Sequence, residues 1–294
     1  MPGLGKLLVV GVGLIGGSCA LALRRANAVR EVVGVGRTRA NLDVAIERGV
    51  VDRALTLDGD WAREARGADV VLVAAPVAQF PALFGSIARH LGPDTCVTDA
   101  GSTKQDVVAA AREAFGARVS QFVPGHPIAG TEHSGAAAAF PSLFEHRNVI
   151  LAPVAGTNPA FVQRVRAMWQ ACGARVATLA PDRHDAIFAA VSHLPHVLAF
   201  ALVAELASRP DAAAYFDNAA GGFRDFTRIA ASSPEMWRDI AIANRDALLA
   251  EIDIYADALA SARALISEGD ADAIEALFQQ ASDARRSWEA RRAK

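Results

Sequence analysis

The chain has 294 residues, a length typical of two domains, and 52% of them are apolar, which is ample for buried cores. Lysine and arginine number 30 against 32 aspartates and glutamates, so the formal net charge is only -2. This balance gives no electrostatic reason to expect a nucleic acid or a membrane surface as a partner. Cys19, Cys96 and Cys172 lie far apart in the sequence, which disfavours a disulfide framework or a metal cluster and favours a reducing compartment.

The apolar beginning of the chain is rich in glycine and lacks the small-residue cleavage site of a signal peptide. Arg24 and Arg25 interrupt it before it reaches the length of a membrane span. We therefore expect no membrane-spanning stretch anywhere in the sequence and a cytoplasmic location.

Short apolar runs alternate with helical runs through the first 180 residues. Strands are predicted over Leu7–Val12, Glu31–Gly36, Asp69–Ala75, Thr95–Asp99, Phe122–Pro124, Asn148–Ala152 and Arg175–Leu179. Helices are predicted over Leu14–Asn27, Arg39–Arg48, Gln79–His90 and Lys104–Phe115. Strands that are apolar on both faces and are separated by helices indicate an α/β domain, with a mostly parallel sheet and helices on both faces.

The pattern changes near Pro181, beyond which no strand is predicted. Residues 182–207, 236–266 and 270–291 carry helical periodicity. The sequence therefore predicts two domains, an α/β domain over residues 1–180 and an all-α domain over residues 181–294. These helices are too apolar for one modest helical domain to bury, so we expect a second copy of the chain to cover them in a homodimer.

A glycine-rich turn joins the first predicted strand to the first predicted helix. Gly11 permits the tight turn, Gly13 lets the backbone approach a pyrophosphate, and Gly16 allows the helix to pack closely on the strand. Phosphates would then lie at the helix N-terminus. The motif predicts a dinucleotide site; the alternative is a glycine-rich turn in a fold that binds no nucleotide. The predicted cofactor contacts here are Gly11, Gly13, Leu14, Ile15, Gly16 and Pro76.

The end of the second predicted strand carries the signal for cofactor choice. A site that prefers NAD would place an acidic residue there, and this sequence has Gly36, Arg37, Thr38 and Arg39 instead. Arg37 and Thr38 suit the 2′-phosphate of NADP, so NADP is the favoured cofactor, with NAD still possible. The alternative is that the arginines only cap the following helix.

Three further segments combine residue types that carry chemistry. Ser102 follows a strand end and could instead be an N-cap. His126 lies between a glycine and a proline, which predicts a rigid, poorly packed loop that is unusual for a structural histidine. His193 and His196 are three residues apart and could share a helix face, and Arg228 follows further along the chain.

Two other kinds of site fit these residues poorly. A zinc site is disfavoured because no Cys, Asp or Glu stands at ligand spacing near the paired histidines, so no metal is expected. A serine hydrolase is disfavoured because Ser102 is not in a GxSxG elbow.

Several segments resemble the prephenate dehydrogenase family over essentially the whole chain. They are GVGLIGGS, DAGSTK, GHPIAGTE, SHLPH, GGFRDFTRIA and PEMWRDI, in the family's order. The resemblance implies an N-terminal Rossmann domain and an all-α C-terminal dimerisation domain. It also implies oxidative decarboxylation of the small molecule prephenate to 4-hydroxyphenylpyruvate, in tyrosine biosynthesis, with hydride transfer to NAD(P).

The resemblance assigns roles to individual residues. His126 would accept a hydrogen bond from the substrate hydroxyl, and Ser102 would orient both groups. Arg228 would hold a substrate carboxylate, for which its planar fork is suited. His196 would lie near the substrate side chain. The other implied substrate contacts are Ser192, His193, Glu132, Asp225 and Trp237. Of these, Glu132, Asp225 and Trp237 could equally form ordinary ion pairs or core.

Other functions remain open at this point. Arogenate dehydrogenases and dual-specificity cyclohexadienyl dehydrogenases are alternatives within the family, and His196 favours a prephenate-type pocket. Outside the family, 3-hydroxyacid dehydrogenases and imine reductases share the fold plan. A non-catalytic, dinucleotide-sensing dimer would not need His126 together with Arg228. With no mutase segment before residue 6 and no regulatory module after residue 290, tyrosine inhibition would be expected to compete with the substrate.

Overall fold

The computed structural model describes residues 3–131 and 133–292. They divide into two compact units, of which the first ends at Arg245 and the second begins at Asp246. The domain boundary predicted at residue 180 falls within the first unit, and it stays a prediction.

A six-stranded parallel sheet forms the centre of the first unit. Its strands are β1 (Leu4–Val10), β2 (Val29–Gly36), β3 (Arg53–Thr56), β4 (Val70–Val73), β5 (Cys96–Asp99) and β6 (Phe122–Val123). Their order in the sheet is β3-β2-β1-β4-β5-β6, and every neighbouring pair is parallel. The order reverses between β1 and β4, and parallel sheets bind ligands at such a point. The predicted parallel sheet is confirmed.

Helices cover both faces of this sheet. They are α1 (Leu14–Arg25), α2 (Arg39–Glu47), α3 (Phe80–Ala88), α4 (Gln105–Phe115) and α5 (Pro159–Ala171). Side chains alternate along a strand, so Leu7 and Val9 of β1 enter one core while Leu8 and Val10 enter the other. Short 3-10 helices occur at Trp61–Gly67, Val77–Gln79, Gly116–Gln121, Ala136–Ala138 and Arg228–Ala231.

Two of these elements were not predicted. Strand β3 is short and mostly half-buried, so it carries no apolar run to identify it. Helix α5 does have a start signal, because the Asn158 side chain accepts a hydrogen bond from the Ala160 backbone N–H and Pro159 follows the cap.

A second sheet of three strands carries His126. It consists of β7 (Gly125–Pro127), β8 (Asn148–Leu151) and β9 (Arg175–Thr178); β7 is antiparallel to β8, and β8 is parallel to β9. His126 lies opposite Ile150 in this ladder, and Gly125 and Pro127 are buried. The expectation of a poorly packed loop is therefore wrong. The segment was too short and too polar for the strand to be seen in the sequence.

The first unit continues with helices α6 (Pro181–Phe188), α7 (Leu194–Ala207), α8 (Ala212–Asp217), α9 (Gly221–Thr227) and α10 (Pro234–Ala243). A π-helical turn, Ala189–His193, joins α6 to α7. Pro195 stands just after it, and a proline inside a helix removes one backbone hydrogen bond and crowds the preceding turn. The wider turn accommodates this proline and places Ser192 and His193.

The helical run Pro181–Ala207 is long and apolar enough to cross a membrane by length and composition alone. The expectation that no stretch reaches spanning length is therefore wrong. However, His184 and Asp185 in this run are fully buried and form hydrogen bonds with His126 and with the backbone N–H of Lys104.

The second unit contains two long helices, α11 (Arg245–Glu268) and α12 (Ala271–Arg292). Both carry large apolar side chains that are exposed in the single chain. They are Leu249, Ile254, Tyr255, Leu259, Ile266, Leu277, Phe278 and Trp288.

Candidate active site

The glycine turn after β1 has the geometry that a dinucleotide requires. Gly11 has a φ of 103°, and a Cβ there would lie 2.3 Å from the carbonyl oxygen of Ala74. A Cβ at Gly16 would lie 2.3 Å from the carbonyl oxygen of Gly11, so helix α1 approaches the turn as closely as possible. A Cβ at Gly13 would meet nothing within 4 Å. Gly13 therefore borders open space at the N-terminus of α1, where the predicted pyrophosphate would lie.

The other predicted cofactor contacts lie around the same crevice. Leu14 and Ile15 form the first turn of α1, and Pro76 follows β4 at the reversal of strand order. First-turn backbone N–H groups have no partner within their own helix, so this edge of the sheet offers donors to phosphate oxygens. The cofactor role of each residue stays a prediction.

The residues after β2 are exposed and partly uncommitted. Arg39 pairs with Asp43 one turn along α2, at 2.8 Å. Thr38 is the N-cap of α2, but its side chain makes no capping hydrogen bond. Among the residues that the structure describes, Arg37 has no ion pair. Arg37 and Thr38 are thus available to a ligand, whereas Arg39 is held by its own helix.

A buried ion pair anchors the carboxyl end of β5. Asp99 and Lys104 are both 0% exposed, and the Lys104 ammonium contacts Asp99 Oδ2. The same carboxylate accepts the backbone N–H of Gly101 at 2.8 Å and of Gly125 at 2.9 Å. Burial raises the pKa of Asp99, and the Lys104 ammonium opposes that rise. The pair therefore ties β5 to the strand that carries His126.

Ser102 lies in the loop between β5 and α4 and is half-buried. Helix α4 begins at Gln105, so the interpretation of Ser102 as its N-cap is wrong. The cap comes from a distant residue, because Asp185 on α6 accepts the backbone N–H of Lys104 and that of Gln105, both at 2.8 Å. Among the described residues, no hydrogen bond joins Ser102 to His126, and its orienting role stays a prediction.

His126 contacts a second histidine that the sequence interpretation missed. Its Nδ1 lies 2.9 Å from Nε2 of His184, and His184 Nδ1 lies 2.8 Å from Oδ1 of Asp185. Burial lowers the pKa of His126 well below its usual range, with a smaller contribution from the positive charge of Lys104. The adjacent residues His184 and Asp185, just after Pro181, could have been noticed in the sequence as a possible catalytic pair, but nothing in the sequence indicated that they pack against β7.

His193, His196 and Trp237 form an aromatic group on the next helical face. The His196 ring stacks on Trp237 at 3.5 Å between centroids, and His193 meets the same ring edge-on at 6.1 Å. The two histidines therefore share a face, as the spacing predicted. Burial lowers the pKa of His193 to about 4, so its ring is neutral at physiological pH.

Asn244 at the end of α10 also joins this group, and the sequence interpretation missed it too. Its Nδ2 donates to the backbone carbonyl of Asp185 at 2.9 Å and to Nδ1 of His193 at 3.0 Å. Since Nδ1 of the neutral His193 accepts, its proton stands on Nε2. Nε2 of His193 and Nε1 of Trp237 are buried and lack a partner within the described part of the chain. The two N–H groups are thus buried donors on contacting rings, and neither has an acceptor among the described residues.

The remaining predicted residues lie at the edge of this group. Arg228 is exposed, yet its charge lowers the pKa of His196 after the larger effect of burial, so the two side chains are close. Asp225 is exposed, and its Oδ1 lies 3.6 Å from Nε of Arg224. This contact is an ordinary ion pair, which is the alternative role considered for Asp225. Ser192 contributes its backbone carbonyl, which accepts from His196 Nδ1 at 2.9 Å. Glu132 lies outside the described residues.

The part of the chain that the structure describes contains no group of three or more His, Cys, Asp or Glu side chains that could hold a metal ion. The chemistry of the site is instead that of neutral imidazoles, a buried carboxylate and an exposed guanidinium beside a dinucleotide crevice.

Fold and site together define a dinucleotide-binding protein of the Rossmann type with an attached helical region. Two family models match: "Prephenate dehydrogenase, nucleotide-binding domain" over residues 19–178 and "Prephenate dehydrogenase, dimerization domain" over residues 180–280. The chain therefore belongs to the prephenate dehydrogenase family.

Individual relatives agree with this assignment. The prephenate dehydrogenase of Bacillus subtilis is 35% identical over 95% of this chain and 75% of its own length. A cyclohexadienyl dehydrogenase of Zymomonas mobilis is 33% identical over 95% of this chain and 94% of its own. The crystal structure of Aquifex aeolicus prephenate dehydrogenase with hydroxyphenyl propionate and NAD+ has a TM-score of 0.89 and 34% identity, covering 96% of this chain and 98% of that one.

Proposed function

We propose that this protein is an NAD(P)-dependent dehydrogenase that converts prephenate to 4-hydroxyphenylpyruvate. The observation that carries the proposal is the pair of unpartnered buried donors on His193 and Trp237, together with the neutral ring of His126. Such donors suit a substrate that carries carboxylates and a carbonyl group. The similarity to the prephenate dehydrogenases of Bacillus subtilis and Aquifex aeolicus supports the same reaction.

The reaction balances without any further reactant. The prephenate dianion and the oxidised nicotinamide become the 4-hydroxyphenylpyruvate anion, carbon dioxide and the reduced nicotinamide. The bound cofactor supplies the hydride acceptor. The electrons of the bond to the departing ring carboxylate complete the aromatic ring, so the protein mainly has to align the reactants and stabilise the hydroxyl.

His126 performs the second of these tasks in the proposed mechanism. Its neutral ring accepts the hydrogen bond of the substrate hydroxyl while hydride leaves the same carbon. The proton that it shares in the transition state stays with the phenol of the product. Ser102, in the loop that follows β5, orients the hydroxyl against this ring.

Arg228 and the aromatic group bind the rest of the substrate. The Arg228 guanidinium is exposed and close to His196, so it is placed to take a carboxylate with two parallel hydrogen bonds. His193 Nε2 and Trp237 Nε1 then find their missing acceptors in the substrate.

NADP is the cofactor that we propose this site prefers. The end of β2 lacks a carboxylate for the ribose hydroxyls, and the exposed Arg37 and Thr38 are available to a 2′-phosphate. A kcat/KM for NADP at least about tenfold above that for NAD is expected. Equal values would reject the preference and leave the dehydrogenase activity untouched.

Arogenate is a second candidate substrate, and one contact favours it. His196 donates from Nδ1 to the Ser192 carbonyl, so the neutral ring presents Nε2 as an acceptor. An acceptor suits the ammonium group of arogenate, whereas the protonated ring would donate to the keto group of prephenate. The similarity to a cyclohexadienyl dehydrogenase also supports a dual specificity.

The assembly and location that we propose are a homodimer in the cytoplasm. The exposed apolar side chains of α11 and α12 support the dimer, since monomeric proteins seldom expose so many large apolar residues along two helices. The matching family model is that of a dimerisation domain.

The test is an assay of the purified protein with prephenate and with arogenate, each with NAD and with NADP, following the absorbance of the reduced nicotinamide. Turnover of prephenate is expected. A His126→Ala variant should lose about 10²–10⁴ of kcat, which would show that the turnover comes from this site. No turnover in any combination, by protein that binds the dinucleotide, would overturn the proposal.

A further inference from the structure

A chain of hydrogen bonds runs from Nδ1 of His126 to two buried residues of α6. Nδ1 of His126 contacts Nε2 of His184, and Nδ1 of His184 contacts Oδ1 of Asp185. His184 is 0% and Asp185 1% exposed, so this chain is shielded from solvent. None of the roles that the family resemblance implies falls on His184 or Asp185.

The position of each proton along this chain can be deduced by starting from Asp185. Burial alone would raise the pKa of Asp185, but hydrogen bonds from His184 and from the backbone N–H groups of Gln105 and Lys104 outweigh that effect, so the net pKa is lowered. The carboxylate is therefore ionised and can only accept hydrogen bonds. His184 Nδ1 therefore carries a proton. Burial also lowers the pKa of His184, so this ring is neutral and its Nε2 has only a lone pair.

The tautomer of His126 is the consequence. Because Nε2 of His184 can only accept, Nδ1 of His126 must be the donor at 2.9 Å. A neutral His126 that carries its proton on Nδ1 has a free lone pair on Nε2. That nitrogen is the one left to accept from a substrate hydroxyl. An isolated imidazole is free to hold its proton on either nitrogen, so this arrangement comes from the neighbours.

We propose that His184 and Asp185 are positioning residues that hold His126 in the tautomer able to accept the substrate hydroxyl, an inference that rests on the proposed function. As the hydroxyl hydrogen is shared with Nε2 of His126, positive charge develops on that ring. The Nδ1 proton moves towards Nε2 of His184, which spreads the charge to the ring beside the Asp185 carboxylate. No atom enters or leaves the relay, and both protons return as the phenol forms.

A purely structural role is the competing explanation. His184 packs against Phe188 at 4.5 Å between ring centroids, and Asp185 caps helix α4 through the N–H groups of Lys104 and Gln105. Substitution of Asp185 would disturb that cap together with the relay. His184 is therefore the better position for the test.

Two variants of His184 separate these roles. In His184→Gln the amide oxygen can accept from His126 Nδ1 while the amide nitrogen donates to Asp185, so the hydrogen bonds that fix the tautomer are rebuilt. In His184→Phe the ring contact with Phe188 is kept and the relay is broken. We expect kcat to fall about 10- to 100-fold in His184→Phe and only a few-fold in His184→Gln, with KM and dinucleotide affinity within about twofold of wild type in both.

The same variants exclude the competing explanation. A packing role predicts the opposite order, because a phenyl ring fits an apolar contact better than a carboxamide does. Wild-type kcat in His184→Phe, or equal losses in both variants, would overturn the relay. His90→Phe, at the end of α3, is the matched control for loss of a histidine outside the site, and it should leave kcat unchanged.

The tautomer can also be measured without substrate. Long-range proton–nitrogen NMR spectra of protein with ¹⁵N-labelled histidine distinguish the two tautomers, and His126→Gln identifies the His126 signals. A proton on Nδ1 is expected in the wild type and in His184→Gln, and its loss from that nitrogen in His184→Phe. This result stands even if the proposed substrates are not turned over. A wild-type His126 with its proton on Nε2 would overturn the relay even in an active enzyme.

Discussion

At the scale of single residues, the site depends on charges and protons that are held out of water. Lys104 and Asp99 form an ion pair with no exposed surface, and removing one member of such a pair leaves the other unpaired in a medium that solvates it poorly. The carboxylate also holds the N–H groups of Gly101 and Gly125, so the pair orders two segments of the site.

Lys104→Met should therefore destabilise the protein by about 3–5 kcal/mol, measured by denaturant unfolding at pH 7. The double variant with Asp99→Asn removes the stranded charge and should recover part of this loss. A single variant within about 1 kcal/mol of wild type would show that the pair does not support the fold.

The lowered pKa of His126 makes a prediction about activity. Burial, with a smaller contribution from the positive charge of Lys104, lowers the pKa of His126 well below its usual value of 6.5, so the ring stays neutral. Protonation abolishes its ability to accept, and it occurs only at a pH lower than usual. The acidic limb of kcat/KM should thus have its midpoint below pH 6.5. A midpoint at or above pH 6.5 would contradict the neutral, buried base.

At the scale of elements, two glycines of the same turn serve different purposes. A Cβ at Gly16 would collide with the Gly11 carbonyl and stand 2.7 Å from a Val9 methyl, whereas a Cβ at Gly13 meets open space. Packing thus requires glycine at position 16, whereas only the proposed ligand requires it at position 13.

Gly16→Ala should destabilise the protein by about 1–3 kcal/mol, as overpacked cores do. Gly13→Ala should leave the free energy of unfolding within about 0.5 kcal/mol but weaken dinucleotide binding about tenfold. Thermal unfolding and fluorescence titration with the reduced cofactor make the comparison. Unaltered binding by a folded Gly13→Ala protein would remove Gly13 from the cofactor site.

The elements also show where sequence patterns suffice. Five of the six strands of the main sheet were predicted because each is apolar on both faces, and the long helices because their apolar residues repeat. Strand β7 was missed because three residues of Gly-His-Pro carry no repeat, and its pairing with β8 comes from residues far along the chain. Ser102 was considered as the cap of α4, as an alternative to a functional role, because local capping is the usual case, but here a carboxylate from α6 performs it.

At the scale of the whole molecule, the apolar faces of α11 and α12 lead to a prediction about assembly. Ile254 is 63% exposed in the single chain, which is unfavourable for a large aliphatic side chain in water. If a second copy covers it, Ile254→Asp should shift the protein towards monomers in sedimentation experiments. Ala264→Asp, an equally charged change on the face of the same helix that carries Asp253 and Asp257, should remain dimeric. A wild-type protein that sediments as a monomer would reject the dimer.

The sequence by itself determined the parallel sheet, the dinucleotide turn, the helical C-terminal region and the family. Each of these depends on a local repeat, a fixed motif spacing, or the order of motifs along the chain. His126, His193 and His196 could be singled out for the same reason. The protonation states and hydrogen-bond partners of these histidines could not be predicted, because they depend on neighbours that lie far away in sequence.

Only the tertiary structure brought His184 and Asp185 behind His126, Asn244 against His193, and Arg228 near His196. Burial and hydrogen bonding decide which nitrogen of a histidine carries its proton, and both come from the packing of distant elements. The residues capable of the chemistry can therefore be identified from the sequence. Their protonation states, and the group that enforces them, follow from the fold.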